Sequence, residues 1–261
     1  MIVAFTVLAF VLGLLLGSFA NVVIYRVPAG MSVVKPRSRC PQCETPIHAR
    51  HNVPVLGWLW LRGKCASCRE PISIRYPVVE LTAGVAFALI VGLSGLRWVT
   101  LLLLVFAIFS IILAAIDLDV GRLPSAIVGP LAITTAVVIA LGSGFTDSWG
   151  IALRALLGAL AVGLLYLTAH LIYPSGLGFG DVQLAPVIGA ILGVFGWGPV
   201  VVGTFAGFLW GALVGVVVMI ATGRARKVRI PFGPWMLAGA WTGVIWGEPV
   251  WDWYLATMLG A

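Results

Sequence analysis

Charge is scarce in this chain of 261 residues: 10% are charged, and only 9 are Asp or Glu. A soluble globular domain carries about 25% charged residues, so a water-soluble fold is excluded. Polar stretches are also scarce. Hydrophobic residues make up 61% of the chain, and the mean hydropathy is +1.10. The apolar runs are long and unbroken, which excludes the short alternating strands of an outer-membrane barrel and leaves helices of about 20 residues each. The first run lacks a basic segment before it and a small-residue cleavage site after it, and it is too long for a signal sequence, so it reads as a mature helix. A GxSxG elbow is absent, although Ser175 and His170 lie close together, so a serine nucleophile is not supported.

What is present is a series of eight apolar runs, over residues 2–25, 78–96, 98–116, 123–141, 151–173, 182–195, 200–222 and 232–259. The fold class that follows is an all-α polytopic membrane protein with about eight transmembrane helices. Gly13 and Gly17, four apart in the first run, form a candidate packing face. Residues 26–77 are polar, Pro-rich and hold every cysteine, so the chain divides into a first helix (1–25), a water-facing loop (26–77) and the remaining helices (78–261). Nine of the 16 Lys and Arg fall in residues 26–75. Basic loops stay on the cytoplasmic side. With that loop inside, alternation through eight spans also places Arg122, Arg224, Arg226, Lys227 and Arg229 inside, leaving only Arg97 and Arg154 outside. The C-terminal Ala261 is then outside.

Cys40 and Cys43 form one CxxC and Cys65 and Cys68 another, separated by 21 residues. Two such turns can aim four thiolates at one tetrahedral zinc. Disulfides are the competing pairing, but they are rare in the reducing cytoplasm to which the loop is assigned. Four thiolates leave zinc no open position, so the ion is expected to staple a loop with little core of its own and to take no part in catalysis. His48 and His51, between the turns, are expected to be solvated.

The few acids are informatively placed. Asp117 and Asp119 end the third run and Asp181 begins the sixth, all at the cytoplasmic edge in this topology. Ionisable groups at membrane depth are costly and usually functional. Gly178 and Gly180 before Asp181 allow a tight turn that could bring its carboxylate to another helix, and Asp117 follows the apolar Ala114, Ala115 and Ile116. Two carboxylates in a poorly solvated place share a proton, which is the aspartic-protease arrangement. His170 reads as a packed or interfacial histidine. The rival from another class is an ion-coupled transporter relaying ions through the same acids. A nucleic-acid tether would rest on the basic loop alone, whose charge orientation and anionic lipid already account for.

Several segments together resemble the type IV prepilin peptidases, GxGD aspartyl proteases also called leader peptidase/N-methyltransferases. They are GSFANVVIYRVP (17–28), CPQC and CASC, SIRYPVVE (73–80), IDLDVGRLP (116–124), GFGDVQL (178–184) and IPFGP (230–234). The resemblance implies that Asp117 and Asp181 are the catalytic pair, with Asp119, Gly178 and Gly180 supporting. It implies cleavage of the basic leader from type IV prepilins or pseudopilins, at the cytoplasmic face of the bacterial inner membrane, in type IV pilus or type II secretion assembly. It also implies N-methylation of the new N-terminus from S-adenosylmethionine, for which no GxGxxG pattern marks a site. Two positions depart from the family pattern. Ser125 follows Pro124 where Asp is usual, and Gln183 stands where Lys is frequent.

Overall fold

The structure is a computed structural model, and it describes residues 1–174, 176–222 and 231–258. Ser175, the Arg224, Arg226, Lys227 and Arg229 cluster, Ile230 and Ala261 lie outside the described residues. Every expected apolar run is one long helix: α1 (Ile2–Arg26), α3 (Arg75–Ser94), α4 (Trp98–Val120), α5 (Ser125–Phe145), α6 (Trp149–Ile172), α7 (Phe179–Phe195), α8 (Trp197–Thr222) and α9 (Gly233–Met258). A short helix, α2 (Leu56–Trp60), lies in the loop. Six helices are long and apolar enough to cross a membrane, which makes this a multi-pass membrane protein. At 17 residues α7 is shorter, about 25 Å long, and in α9 five tryptophans with Glu248 and Asp252 dilute the hydropathy. Among the described residues there is no β-strand, only two isolated bridges.

The chain forms two compact units, Met1–Ile112 and Leu113–Ala261. In the first, α1 packs along α3. The contact runs through Gly13 and Gly17 as the sequence suggested: a Cβ on Gly13 would lie 2.5 Å from the Ala83 carbonyl oxygen, and one on Gly17 2.8 Å from Glu80 Cα. Small residues drive such pairs because lipid tails offer no hydrophobic incentive for large ones to associate. Two polar side chains fix the hairpin. Buried Asn21 donates to the Tyr76 carbonyl at 3.1 Å, and buried Glu80 accepts from the Val55 N–H at 2.7 Å, tying the loop to α3. The guanidinium of Arg26 donates to the carbonyls of Ser32 and Pro36.

In the second unit, α7 is the central helix, packed by α5, α6, α8 and α9. A Cβ on Gly158 of α6 would lie 2.5 Å from the Gly189 carbonyl oxygen of α7, and one on Gly239 of α9 would strike the Gly207 backbone of α8. Large side chains such as Leu153, Leu160, Leu164 and Phe205 point outward, as expected where the solvent is lipid. Arg154 reaches across from α6 and donates to the Gly193 and Val194 carbonyls at 2.6 and 2.9 Å. These are orphan acceptors in the last turn of α7, where a cation also suits the helix dipole.

Candidate active site and metal centre

Asp117 sits inside α4, which runs on to Val120, beyond the expected end at residue 116. Its side chain is buried. Oδ2 accepts a hydrogen bond at 2.9 Å from the backbone N–H of Gly233, the first residue of α9. Asp119 is two residues on, about 200° around the helix, and is exposed. The neighbouring acids of one motif therefore occupy different environments.

Asp181 is the third residue of α7 and is also buried. Its Oδ2 accepts from the Gly178 N–H at 3.0 Å, closing the first turn of the helix on itself. The glycines act differently from the tight turn that the sequence suggested. Gly178 has an ordinary extended conformation, φ −69° and ψ 147°, and Gly180 is helical. Gly180 is needed for space: a Cβ there would lie 2.8 Å from both Cβ and the carbonyl oxygen of Leu123. Buried Leu123 also bounds the other half of the site, because a Cβ on Gly233 would lie 3.1 Å from its methyls and 2.7 Å from Asp117 Oδ2. The start of α9, the end of α4 and the start of α7 thus converge around Leu123, with Asp117 and Asp181 in electrostatic reach of each other. Each carboxylate accepts a backbone N–H through one oxygen, Asp117 from Gly233 and Asp181 from Gly178.

One residue of this region escaped the sequence reading. Tyr166 of α6 is buried, interacts electrostatically with Asp181, and stacks on Phe208 with ring centroids 5.2 Å apart. Phe208 and Tyr166 in turn pack on Phe232, the residue before Gly233. The aromatic cluster therefore backs the segment that presents the Gly233 N–H. A tyrosine within an apolar span was the available signal, since its hydroxyl makes it a poor choice for pure packing. His170 has a local role: its Nδ1 lies 2.8 Å from the Leu177 carbonyl oxygen, fixing the turn before α7.

The two departures from the family pattern turn out to be one contact. The Ser125 hydroxyl donates to Gln183 Oε1 at 2.7 Å, joining the first residue of α5 to α7. A neutral hydrogen bond thus joins the two positions at which this chain departs from the family pattern. Ser125→Asp and Gln183→Lys are each expected to lower the melting temperature in detergent, and the double variant to recover most of the loss. The coupling should be about 0.5–1 kcal/mol, as for an exposed pair; strictly additive effects would show the positions to be independent.

In the loop, the four cysteine sulfurs lie within 4.8 Å of one another. Cys40 to Cys68 is 3.8 Å and Cys43 to Cys65 3.9 Å. A tetrahedral zinc with bonds of ~2.3 Å separates its sulfurs by about 3.8 Å, so the donor set and spacing fit a metal ion of that kind. The cluster is built from an internal repeat. SRCPQCETPI and GKCASCREPI, 25 residues apart, fold alike. The Cys40 N–H donates to Thr45 and the Cys65 N–H to Glu70; Ile47 donates to Ser38 and Ile72 to Gly63. Glu44 and Arg69, at equivalent positions, both have positive φ. The paired CxxC spacing was legible in the sequence, and the repeat around it was missed. The Thr45 hydroxyl and N–H hold the Cys43 thiol down at about 6. The Cys68 and Ser67 N–H groups lower Cys65. Despite the Glu70 N–H, desolvation and the sulfurs of Cys43, Cys65 and Cys40 push Cys68 up to about 12. The cluster readily holds some negative charge but resists full ionisation, the electrostatic deficit that a dication relieves.

Sequence comparison places these two regions. The bacterial peptidase A24 N-terminal domain profile matches residues 11–93, and that of the type IV leader peptidase family matches residues 104–220. The chain belongs to the type IV leader peptidase family. It is 37% identical over 276 residues to a prepilin leader peptidase/N-methyltransferase of Neisseria gonorrhoeae, covering 95% of this chain and 94% of that one. Proteins of the same name from Aeromonas hydrophila and Stutzerimonas stutzeri are each 32% identical, with 97% of this chain and 94% of theirs covered. No solved structure matches. Ion-coupled transport, the other reading of the acids, finds no support in these relatives.

Proposed function

We propose that this protein is a membrane aspartic endopeptidase that removes the basic leader of type IV prepilins or pseudopilins and N-methylates the exposed amine. The observation that carries the reading is the convergence of two buried carboxylates, Asp117 and Asp181, at the ends of helices in a chain of this family. One member of the pair is ionised and takes a proton from a water, whose oxygen bonds to the scissile carbonyl carbon. The other, protonated, gives its proton to the carbonyl oxygen. The tetrahedral intermediate then breaks its C–N bond, and the leaving amine takes up the proton first drawn from water. The Gly233 and Gly178 N–H groups aim the two carboxylates. Asp119 and the small Gly178 and Gly180 support this arrangement.

The site lies in the bacterial cytoplasmic membrane at its cytoplasmic face, where a soluble leader joins an apolar helix. Residues 1–25, 26–77 and 78–261 act as first helix, zinc module and protease. Methyl transfer rests on the relatives' name, with S-adenosylmethionine as donor, and no residue of this chain is assigned to hold it. Zinc on Cys40, Cys43, Cys65 and Cys68 would staple the loop.

Purified protein incubated with a prepilin in detergent should yield a substrate lighter by its leader, read by mass; an uncut substrate would overturn the reading. In the same assay, Cys40→Ser with Cys43→Ser should abolish bound zinc and lower the loop's stability, while cleavage remains measurable. An inserted, zinc-free variant with no cleavage would overturn the structural role of the metal.

A further inference from the structure

In the loop, α2 carries two tryptophans with opposite surroundings. Trp58 turns inward: its indole N–H donates to the Ile72 carbonyl at 3.0 Å, and its ring fills the space beside Gly63, where a Cβ would lie 2.8 Å from it. Helix α2 is thereby fastened to the second CxxC turn. Leu56, Leu59 and Trp60, three and four apart, share a different face, and they are 62, 56 and 80% exposed. Beside Trp60 lies a pocket of about 540 Å³, lined also by Arg50, Arg62, Lys64, Cys65 and Arg69. Residues 45–68 hold no Asp or Glu, and none of the four cations is in an ion pair among the described residues. A dication held by four thiolates leaves about two negative charges, so the cations remain in excess.

We propose that α2 is an interfacial anchor: its apolar face enters the cytoplasmic leaflet, and the basic pocket beside it receives the phosphate of an anionic lipid headgroup. Nothing in this depends on the peptidase reading; it requires only that α3 spans a membrane. Three observations favour lipid as the occupant. The first is height. The Val55 N–H, at the N-cap of α2, donates to Glu80 Oε2 at 2.7 Å, and Glu80 is the sixth residue of α3, about 8 Å along it. Helix α2 is therefore held level with the first two turns of a span instead of out in the water. The second is composition, since Trp and Leu on one face with cations beside them are what segments lying in an interface carry. The third is charge. Anionic headgroups attract Lys and Arg, whereas a basic leader peptide is repelled by them. Through Trp58, the same anchor holds the four-cysteine cluster against the membrane surface.

The test uses the full protein in nanodiscs of phosphatidylcholine, with or without phosphatidylglycerol, and a photo-crosslinking residue in place of Leu59. Lipid adducts, read by mass, are expected in both discs, with a yield at least about threefold higher in the anionic one. Added salt should erase that preference, because it screens exposed charges. No lipid adduct, or crosslinks only to other helices of this chain, to a second copy or to an added prepilin, would overturn the anchor. Combining Arg50→Gln, Arg62→Gln, Lys64→Gln and Arg69→Gln should bring the ratio of yields to about one while adducts persist in both discs. An unchanged ratio would overturn the pocket as the headgroup site. If that variant misfolds, the salt series on the unaltered pocket still decides: equal yields in the two discs at low salt would overturn the proposal.

Discussion

Asp117→Asn and Asp181→Asn should each lower prepilin cleavage by at least about 10²–10⁴-fold, the range for losing a positioned acid or base, while leaving the protein inserted and folded. Folding should survive because Asn retains a side-chain carbonyl oxygen. At position 117 that oxygen can accept the Gly233 N–H, and at 181 the Gly178 N–H, as the carboxylates do now at 2.9 and 3.0 Å. What Asn cannot do is exchange a proton with water or with the substrate carbonyl. Asp119→Asn should have a milder effect, since its side chain is exposed on another face of α4. Cleavage measured by mass, beside a melting curve, separates chemistry from folding. Near wild-type turnover in either of the first two variants would show that the pair is misassigned.

The second large effect is expected from a residue with no side chain. Gly233→Ala would put a Cβ 2.7 Å from Asp117 Oδ2 and 3.1 Å from the Leu123 methyls. Leu123 in turn lies against Gly180, next to Asp181, so it has little room to retreat. The carboxylate must shift, and displacements of about 1 Å at a reacting group cost about 10²-fold in rate. Gly129→Ala on α5 is the control, since a Cβ there meets nothing within 4 Å and Ala is the better helix former. Cleavage by the Gly129 variant should stay at the wild-type level. If Gly233→Ala cleaved as fast as Gly129→Ala, the Gly233 contact would have no part in positioning Asp117.

Hydropathy located every long helix because each membrane span must satisfy its own backbone and present an apolar surface, a demand met locally along the chain. The ends were harder to place. α4 continues past residue 116 because Asp117 and Asp119 can be helical at a membrane edge, and α5 starts at Ser125 because Pro124 is extended at its N-cap. The GSFANVVIYR segment, read as part of a family signature, proves to carry packing and anchoring. Gly17 admits α3, Asn21 bonds Tyr76, and Arg26 orders the chain that follows. Tyr166 stood out as a tyrosine in an apolar span, but neither its partners Phe208 and Phe232 nor the Ser125–Gln183 bond could be read in advance, since each joins residues far apart in sequence.

By itself the sequence determined the membrane-spanning helices, the four-sulfur cluster and the candidate pair of acids, because hydropathy, CxxC spacing and the rarity of charge are properties of residue type and order. Only the tertiary structure decided which acid is buried, what holds it and what lies beside it. The Gly233 N–H reaches Asp117 across 116 residues of sequence, and every residue except proline has such a group, so no residue type announces it.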